Sequence, residues 1–252
     1  GTTNPQQTPV LQQARNQPVI KDESGAKATM LNNQGIEVTL RTHKVSDKQS
    51  VVKEQRMTTN VQREVKYLRQ CVGHPNIVQY FDHYVDYDNG MVALAMAHCP
   101  GQELFDYIIE STPVDLEVAR QIAYQLLTAV AYLHDDLGIV HRDIKPENII
   151  YNTATGSLRL IDFGYARSFI TRVNLRSQVG TSYHIKRLLE MRSKVGTPFY
   201  IPPEMLLGQP YTCTVDEWST GVTLFMVLYR IPPFSGETNI RKSVPRPVEE
   251  DK

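Results

Sequence analysis

The chain has 252 residues, 41% hydrophobic and 21% charged, enough to bury a sizeable core in one large domain or two small ones. Its 27 basic and 27 acidic residues cancel, which removes the electrostatic ground for nucleic acid or an anionic membrane as the main partner. No apolar run reaches the roughly 18 residues of a membrane span, and the N-terminus lacks a signal-peptide core.

Cys71, Cys99 and Cys213 are scattered and odd in number. Their spacing is neither a disulfide framework nor a zinc pattern, so a reducing compartment is expected, cytoplasmic or else nuclear. The chain begins at Gly1 without a Met, and its true start is expected upstream.

Residues 1–27 are rich in Gln, Thr, Pro and Asn without periodicity, the composition of a disordered tail. From 28 to 96 the pattern predicts strands and one helix. IEVTLRTH (36–43) alternates as a half-buried strand does, and SVVKEQ (50–55) is a second strand. NVQREVKYLRQ (60–70) sets Val61, Val65 and Leu68 at helical spacing, with charges on the other face. NIVQYFDHYVD and MVALAMA form paired strands around the turn signal DYDNG.

Beyond residue 100 the signal becomes helical. LEVARQIAYQLLTAVAYLHD (116–135) carries a long apolar stripe, and VDEWSTGVTLFMVLYR (215–230) is apolar nearly all round, as in a buried helix. A β-rich segment at 28–96 followed by a helical one at 97–240, with a polar tail at 241–252, predicts an α+β fold of two lobes. RSQVGTSYHI (176–185) returns 16 positions later as RSKVGTPFYI (192–201) with six of ten residues matching, a short tandem duplication.

The densest polar motif is HRDIKPEN (141–148), and Asp162 of a DFG follows nineteen residues beyond Asp143. Phosphoryl transfer needs a metal to neutralise phosphate charge, a carboxylate to orient the attacking hydroxyl and cations on the transferring group. These two loops supply that set. They resemble the signature of the eukaryotic-type Ser/Thr protein kinase family. ELFDYI, VGTPFYIPPEML and PPFSGETN look most like its calcium/calmodulin-dependent and calcium-dependent members.

The resemblance implies transfer of the γ-phosphate of ATP, with Mg²⁺, to a hydroxyl of a protein substrate. It implies that Asp143 orients that hydroxyl and that Lys145 steadies the γ-phosphate. Asn148 and Asp162 would hold Mg²⁺. Lys53, paired with Glu64 eleven residues on, would reach the α- and β-phosphates. Met96, Ala97, Cys99 and Glu103 would line the hinge and ribose side, with Val38 above the adenine and Ile150 below.

Thr197, in GTPFYIPPE (196–204), would bond near Asp143 and Lys145. Ser193 occupies the position of an activating phosphosite, the target of an upstream kinase, with Arg142 to receive the phosphate. His141 and Phe163 would pack between the loops, Asp216 would brace the catalytic loop, and Trp218 would join the core.

Three departures from the family pattern stand out. The expected Gly-rich loop reads LNNQGI (31–36) with Gly35 alone, which predicts a weaker grip on phosphate. From Asp162 to Glu204 is 42 positions, and removing the 16-residue duplication leaves an ordinary 26. The copy at 192–201 is then the docking copy, and the extra copy would bulge into solvent. After PPFSGETNI the helices typical of the family give way to RKSVPRPVEEDK, so the helical lobe is expected to lack its last helices. Glu204 would lose its usual Arg partner, and the 215–230 helix would show an apolar flank. A pseudokinase or regulatory fragment is therefore the alternative reading.

Overall fold

The computed structural model describes residues 28–31, 37–42, 49–111, 113–169, 198–234 and 237–242. A five-stranded antiparallel sheet holds β1 (Ala28–Leu31), β2 (Glu37–Thr42), β3 (Gln49–Arg56), β4 (Tyr80–Asp86) and β5 (Met91–Ala97) in the order β1-β2-β3-β5-β4. Its centre is β3, where Val51 and Val52 suit a pleated, half-buried surface. The turn before β5 works as its sequence predicts. Asp86 accepts the backbone N–H groups of Asp88 and Asn89, and Gly90 takes φ 64°.

Helix α1 (Thr59–Leu68) follows β3, capped by the Thr58 hydroxyl, which accepts from Val61 N at 3.3 Å. That cap stabilises the helix by about 1 kcal/mol. Val61, Val65 and Leu68 are buried as their spacing predicts. Glu64 lies on the same face, three residues after Val61, and is 2% exposed. A carboxylate on an apolar stripe demands a cationic partner, and that demand shapes the site described below.

The helical part contains β6 (Gln102–Glu103), α2 (Leu104–Glu110) and α3 (Leu116–Ala131), which widens into a π-type turn over Tyr132–Asp136. There Leu137 N–H reaches back to Tyr132 O. Next come β7 (Ile139–Val140), β8 (Ile149–Asn152), β9 (Ser157–Leu160) and β10 (Arg167–Ser168). After them lie α4 (Pro203–Leu206), α5 (Thr214–Tyr229) and α6 (Glu237–Arg241). β6, β8 and β9 form a small sheet, and β10 pairs with β7.

Helices α3 and α5 pack together around Ile122, Leu126, Val222 and Val227. The helical and strand parts share one core, which continues through Leu68, Ile77 and Leu94. Gln125 of α3 stitches the join: its side chain bonds Asn76, the backbone N–H of Leu158 and the carbonyl of Gly156. At the far end of α5, Arg230 takes φ 60° and its guanidinium caps the Ile108 and Ile109 carbonyls at the end of α2. Leu228, Tyr229 and Ile231 beside it are exposed, the apolar flank expected from the sequence. Trp218 is half-buried rather than fully in the core, stacked on Phe234 at 5.1 Å. No helix among the described residues is long and apolar enough to cross a membrane.

Gly101, just before β6, takes φ 133°, and a Cβ there would sit 2.4 Å from Tyr151 O. The chain can enter β6 this close to β8 only without a side chain. Gly101→Ala is expected to destabilise the fold by about 2 kcal/mol or more through clash and strain. Thermal unfolding checks this, and an unchanged midpoint would rule out the close approach.

Candidate active site

The site is built where the sheet meets the helical part. Lys53 Nζ lies 2.9 and 3.2 Å from the two carboxylate oxygens of Glu64. Gln55 donates to the same carboxylate at 3.1 Å. Asp162 Oδ1 lies 3.9 Å from the same Lys53 Nζ. Burial works against charge on Lys53, but Glu64 and Asp162 outweigh it and hold the ammonium pKa above its ordinary value. The amine therefore stays cationic, with two carboxylates close to it.

The catalytic loop is held from below by one carboxylate. Asp216 of α5 is fully buried and accepts His141 N at 2.7 Å and Arg142 N at 2.8 Å. Its Oδ2 also bonds His134 Nε2 at 2.8 Å. The bond to Arg142 N helps hold an unfavourable backbone, since Arg142 has φ 69°, a left-handed conformation that costs a non-glycine residue about 1–2 kcal/mol; Asp162, in the other loop, is left-handed too, with φ 61°. The Arg142 guanidinium locks its own turn, donating to Tyr165 O and Tyr211 OH.

His141 links the two loops. Its Nε2 faces Ile161 O at 3.2 Å, while Nδ1 accepts from Asp143 N at 3.3 Å. Those partners assign the proton to Nε2. The ring packs edge-on against Phe163 at 4.8 Å.

Above this support the reactive groups converge. Asn148 Nδ2 donates to Asp143 O at 2.9 Å and to Asp143 Oδ2 at 2.8 Å. Lys145 Nζ lies 3.1 Å from the same Asp143 oxygen. Asp162 turns its Oδ1 to Gly164 N at 3.1 Å. Asp143, Lys145, Asn148, Asp162, Lys53 and Glu64 thus share one region of the structure, as expected from sequence.

The hinge residues follow in register. Met96 pairs with Tyr80 and Val51, and Glu103 lies opposite Ile150. Ala97 refines the expectation: its N–H is spent on Gln79 O at 2.8 Å, which leaves its carbonyl. The Cys99 thiol donates weakly to that carbonyl at 3.7 Å, and burial pushes its pKa up to about 11. Val38 lies opposite Lys53 in the β2–β3 ladder. Thr197, Ser193 and the extra copy at 176–185 lie outside the described residues, as does 32–36 of the expected Gly-rich loop. Among the described residues Glu204 makes no ion pair.

Three charged residues given no role by sequence reasoning also belong here. Arg142 of the catalytic loop and Arg63 on α1 both lie near Arg167 on β10; burial, then repulsion from Arg142 and Arg63, lowers the Arg167 pKa to about 10. Glu147, inside HRDIKPEN, has a buried Oε2 without a hydrogen-bond partner among the described residues. Burial pushes its carboxyl pKa up, with Asp143 and Glu103 adding to the rise. The one available signal was position: Arg63 precedes Glu64, and Arg167 lies five residues after Asp162.

A family model described as protein kinase domain matches residues 36–247. The chain is 34% identical over 205 residues to a probable myosin light chain kinase of Dictyostelium discoideum, covering 78% of this chain and 38% of that one. It is 36% identical over 181 residues to calcium-dependent protein kinase 5 of Plasmodium falciparum, covering 71% and 28%. It is 37% identical over 183 residues to human ribosomal protein S6 kinase alpha-4, covering 72% and 22%. The chain therefore spans well under half the length of these relatives. The matches favour the kinase reading over the pseudokinase alternative, and the family works with ATP and Mg²⁺ on protein substrates. With a protein kinase domain matched over residues 36–247 and relatives 34–37% identical, the chain belongs to the protein kinase family.

Proposed function

We propose that this chain transfers the γ-phosphate of ATP to a Ser or Thr hydroxyl of a protein substrate. The observation that carries the reading is the convergence of two groups. One is the cationic Lys53 between Glu64 and Asp162, and the other is Asp143 fixed by Asn148 and Lys145. Lys53 steadies the α- and β-phosphates, and Lys145 steadies the γ-phosphate. Asp143 orients the substrate hydroxyl and accepts its proton, its carboxylate held still by the Asn148 amide.

The donor set suits Mg²⁺. Asn148 spends its NH₂ on Asp143, which turns Oδ1 into the available donor, and Asp162 adds a carboxylate; both are hard oxygen ligands. The cation, when bound, neutralises phosphate charge. The Ala97 carbonyl is an acceptor matched to an adenine amino group, with Met96, Cys99, Glu103, Ile150 and Val38 around the base and ribose. Thr197 is assigned to bond near Asp143 and Lys145 in the docking segment.

Two finer features concern substrate and regulation. The unpartnered Glu147 oxygen, with Glu103 nearby, favours a basic residue in the substrate peptide, whose charge would offset the buried carboxylate. Arg142 and Arg63 both repel Arg167, so a dianionic phosphate beside Arg167 and Arg142 relieves that repulsion. Ser193, modified by an upstream kinase, is the proposed source of that phosphate. The proposed compartment is the cytoplasm.

Purified protein with labelled ATP, Mg²⁺ and a basic peptide is expected to show transfer. Asp143→Asn should lower that rate about 10²–10⁴-fold, the range of a lost general base, while nucleotide-induced thermal stabilisation persists. Stabilisation without transfer in the parent protein would instead support the pseudokinase reading. Treatment with an activating kinase should raise activity and phosphorylate Ser193, detected by mass spectrometry. Ser193→Ala should lose both effects, and activation that survives the substitution would exclude this residue.

A further inference from the structure

A second cluster of metal-binding side chains lies outside the cleft, where the π-type turn after α3 meets the start of α5. One ring nitrogen of His134, Sγ of Cys213 and a carboxylate oxygen of Glu217 all lie within 4.8 Å of one another. Cys213 immediately precedes α5, and Glu217 lies four residues on, so one helical turn puts both on the same side. His134 is buried, Cys213 half-buried and Glu217 exposed. The phosphate-transfer groups include none of the three.

We propose that His134, Cys213 and Glu217 bind a thiophilic divalent cation, Zn²⁺ foremost, which clamps the π-type turn to α5 beside the Asp216 brace. The donor chemistry selects the ion: imidazole, thiolate and carboxylate suit Zn²⁺, whereas Mg²⁺ prefers oxygen alone. A thiolate and a carboxylate cancel the two positive charges, and a neutral imidazole completes three protein ligands. The fourth tetrahedral position is then left to water.

The outer support is also in place. His134 Nε2 is engaged by Asp216 Oδ2 at 2.8 Å, so Nδ1 has to serve as the metal ligand; Asp216 would then stand behind the imidazole, an arrangement that orients zinc-bound histidines. Bonds of about 2.0–2.3 Å set ligand atoms about 3.5 Å apart around a tetrahedral zinc. The cluster therefore has to close by about 1 Å, a movement the exposed Glu217 and half-buried Cys213 side chains permit. Binding replaces the thiol proton, which leaves to solvent, with a sulfur–zinc bond.

The test uses the full chain, stripped with a chelator and titrated with Zn²⁺ against a chromophoric competitor, with Co²⁺ as the spectroscopic probe. One equivalent should bind, and the Co²⁺ form should show a thiolate-to-metal charge-transfer band. Zn²⁺ should raise the thermal unfolding midpoint where equal Mg²⁺ does not. Cys213→Ser and Glu217→Gln, on the accessible side of the cluster, should each weaken binding about tenfold or more, and Cys213→Ser should abolish the band. No binding, equal binding in both variants, or a band that survives Cys213→Ser would overturn the proposal.

Discussion

One buried carboxylate holds the catalytic machinery in shape. Asp216 sits in the first turn of α5 with no solvent contact, and its two oxygens are occupied by two backbone N–H groups and an imidazole. An isolated buried carboxylate is costly, yet one saturated by hydrogen bonds is a rigid anchor. The unfavourable φ of Arg142 persists because Asp216 and the Tyr211 hydroxyl fix the residue from two sides. The position of Asp143, one residue on, follows from that turn.

The upper half of the site obeys the same logic with the signs reversed. Lys53 is a buried cation in the middle of a sheet, tolerable only because Glu64 arrives from α1. The orientation of α1 is therefore tied to β3 by charge as well as by the packing of Val65 and Leu68. Asp162, facing Lys53 on one side and the Gly164 backbone on the other, connects this pair to the loop below. The active arrangement is thus a chain of mutual obligations among buried charges, each satisfied by a neighbour on a different element.

Much of this was legible in the sequence because it is local or motif-bound. HRDIKPEN and DFG carry their chemistry in consecutive residues, and the strands and helices follow from alternation and apolar spacing. What could not be read is what distant segments bring together. Arg63, Arg142 and Arg167 are separate in sequence and meet only through packing of α1, the catalytic loop and β10. Cysteine spacing excluded a zinc motif in the chain, yet folding carries Cys213 to His134 across the α3–α5 junction. The resemblance names Glu64 as the partner of Lys53, but the charge pattern of its helix puts charges on the face opposite the apolar stripe, and the burial of Glu64 beside Val61 and Val65 emerges only from how α1 is placed.

The reach of Asp216 along the chain has a consequence for how the molecule forms. Its bonds to His141 and Arg142 span 75 and 74 residues, and that to His134 spans 82. Contacts of such separation are slow to form, because the intervening chain must be ordered before they reward it. During synthesis the 141–148 segment leaves the ribosome well before the residue that shapes it. The sheet, whose strand pairings all span shorter stretches of chain than the Asp216 bonds, can assemble first. Catalytic geometry is in this sense acquired last, on the arrival of a single side chain from α5.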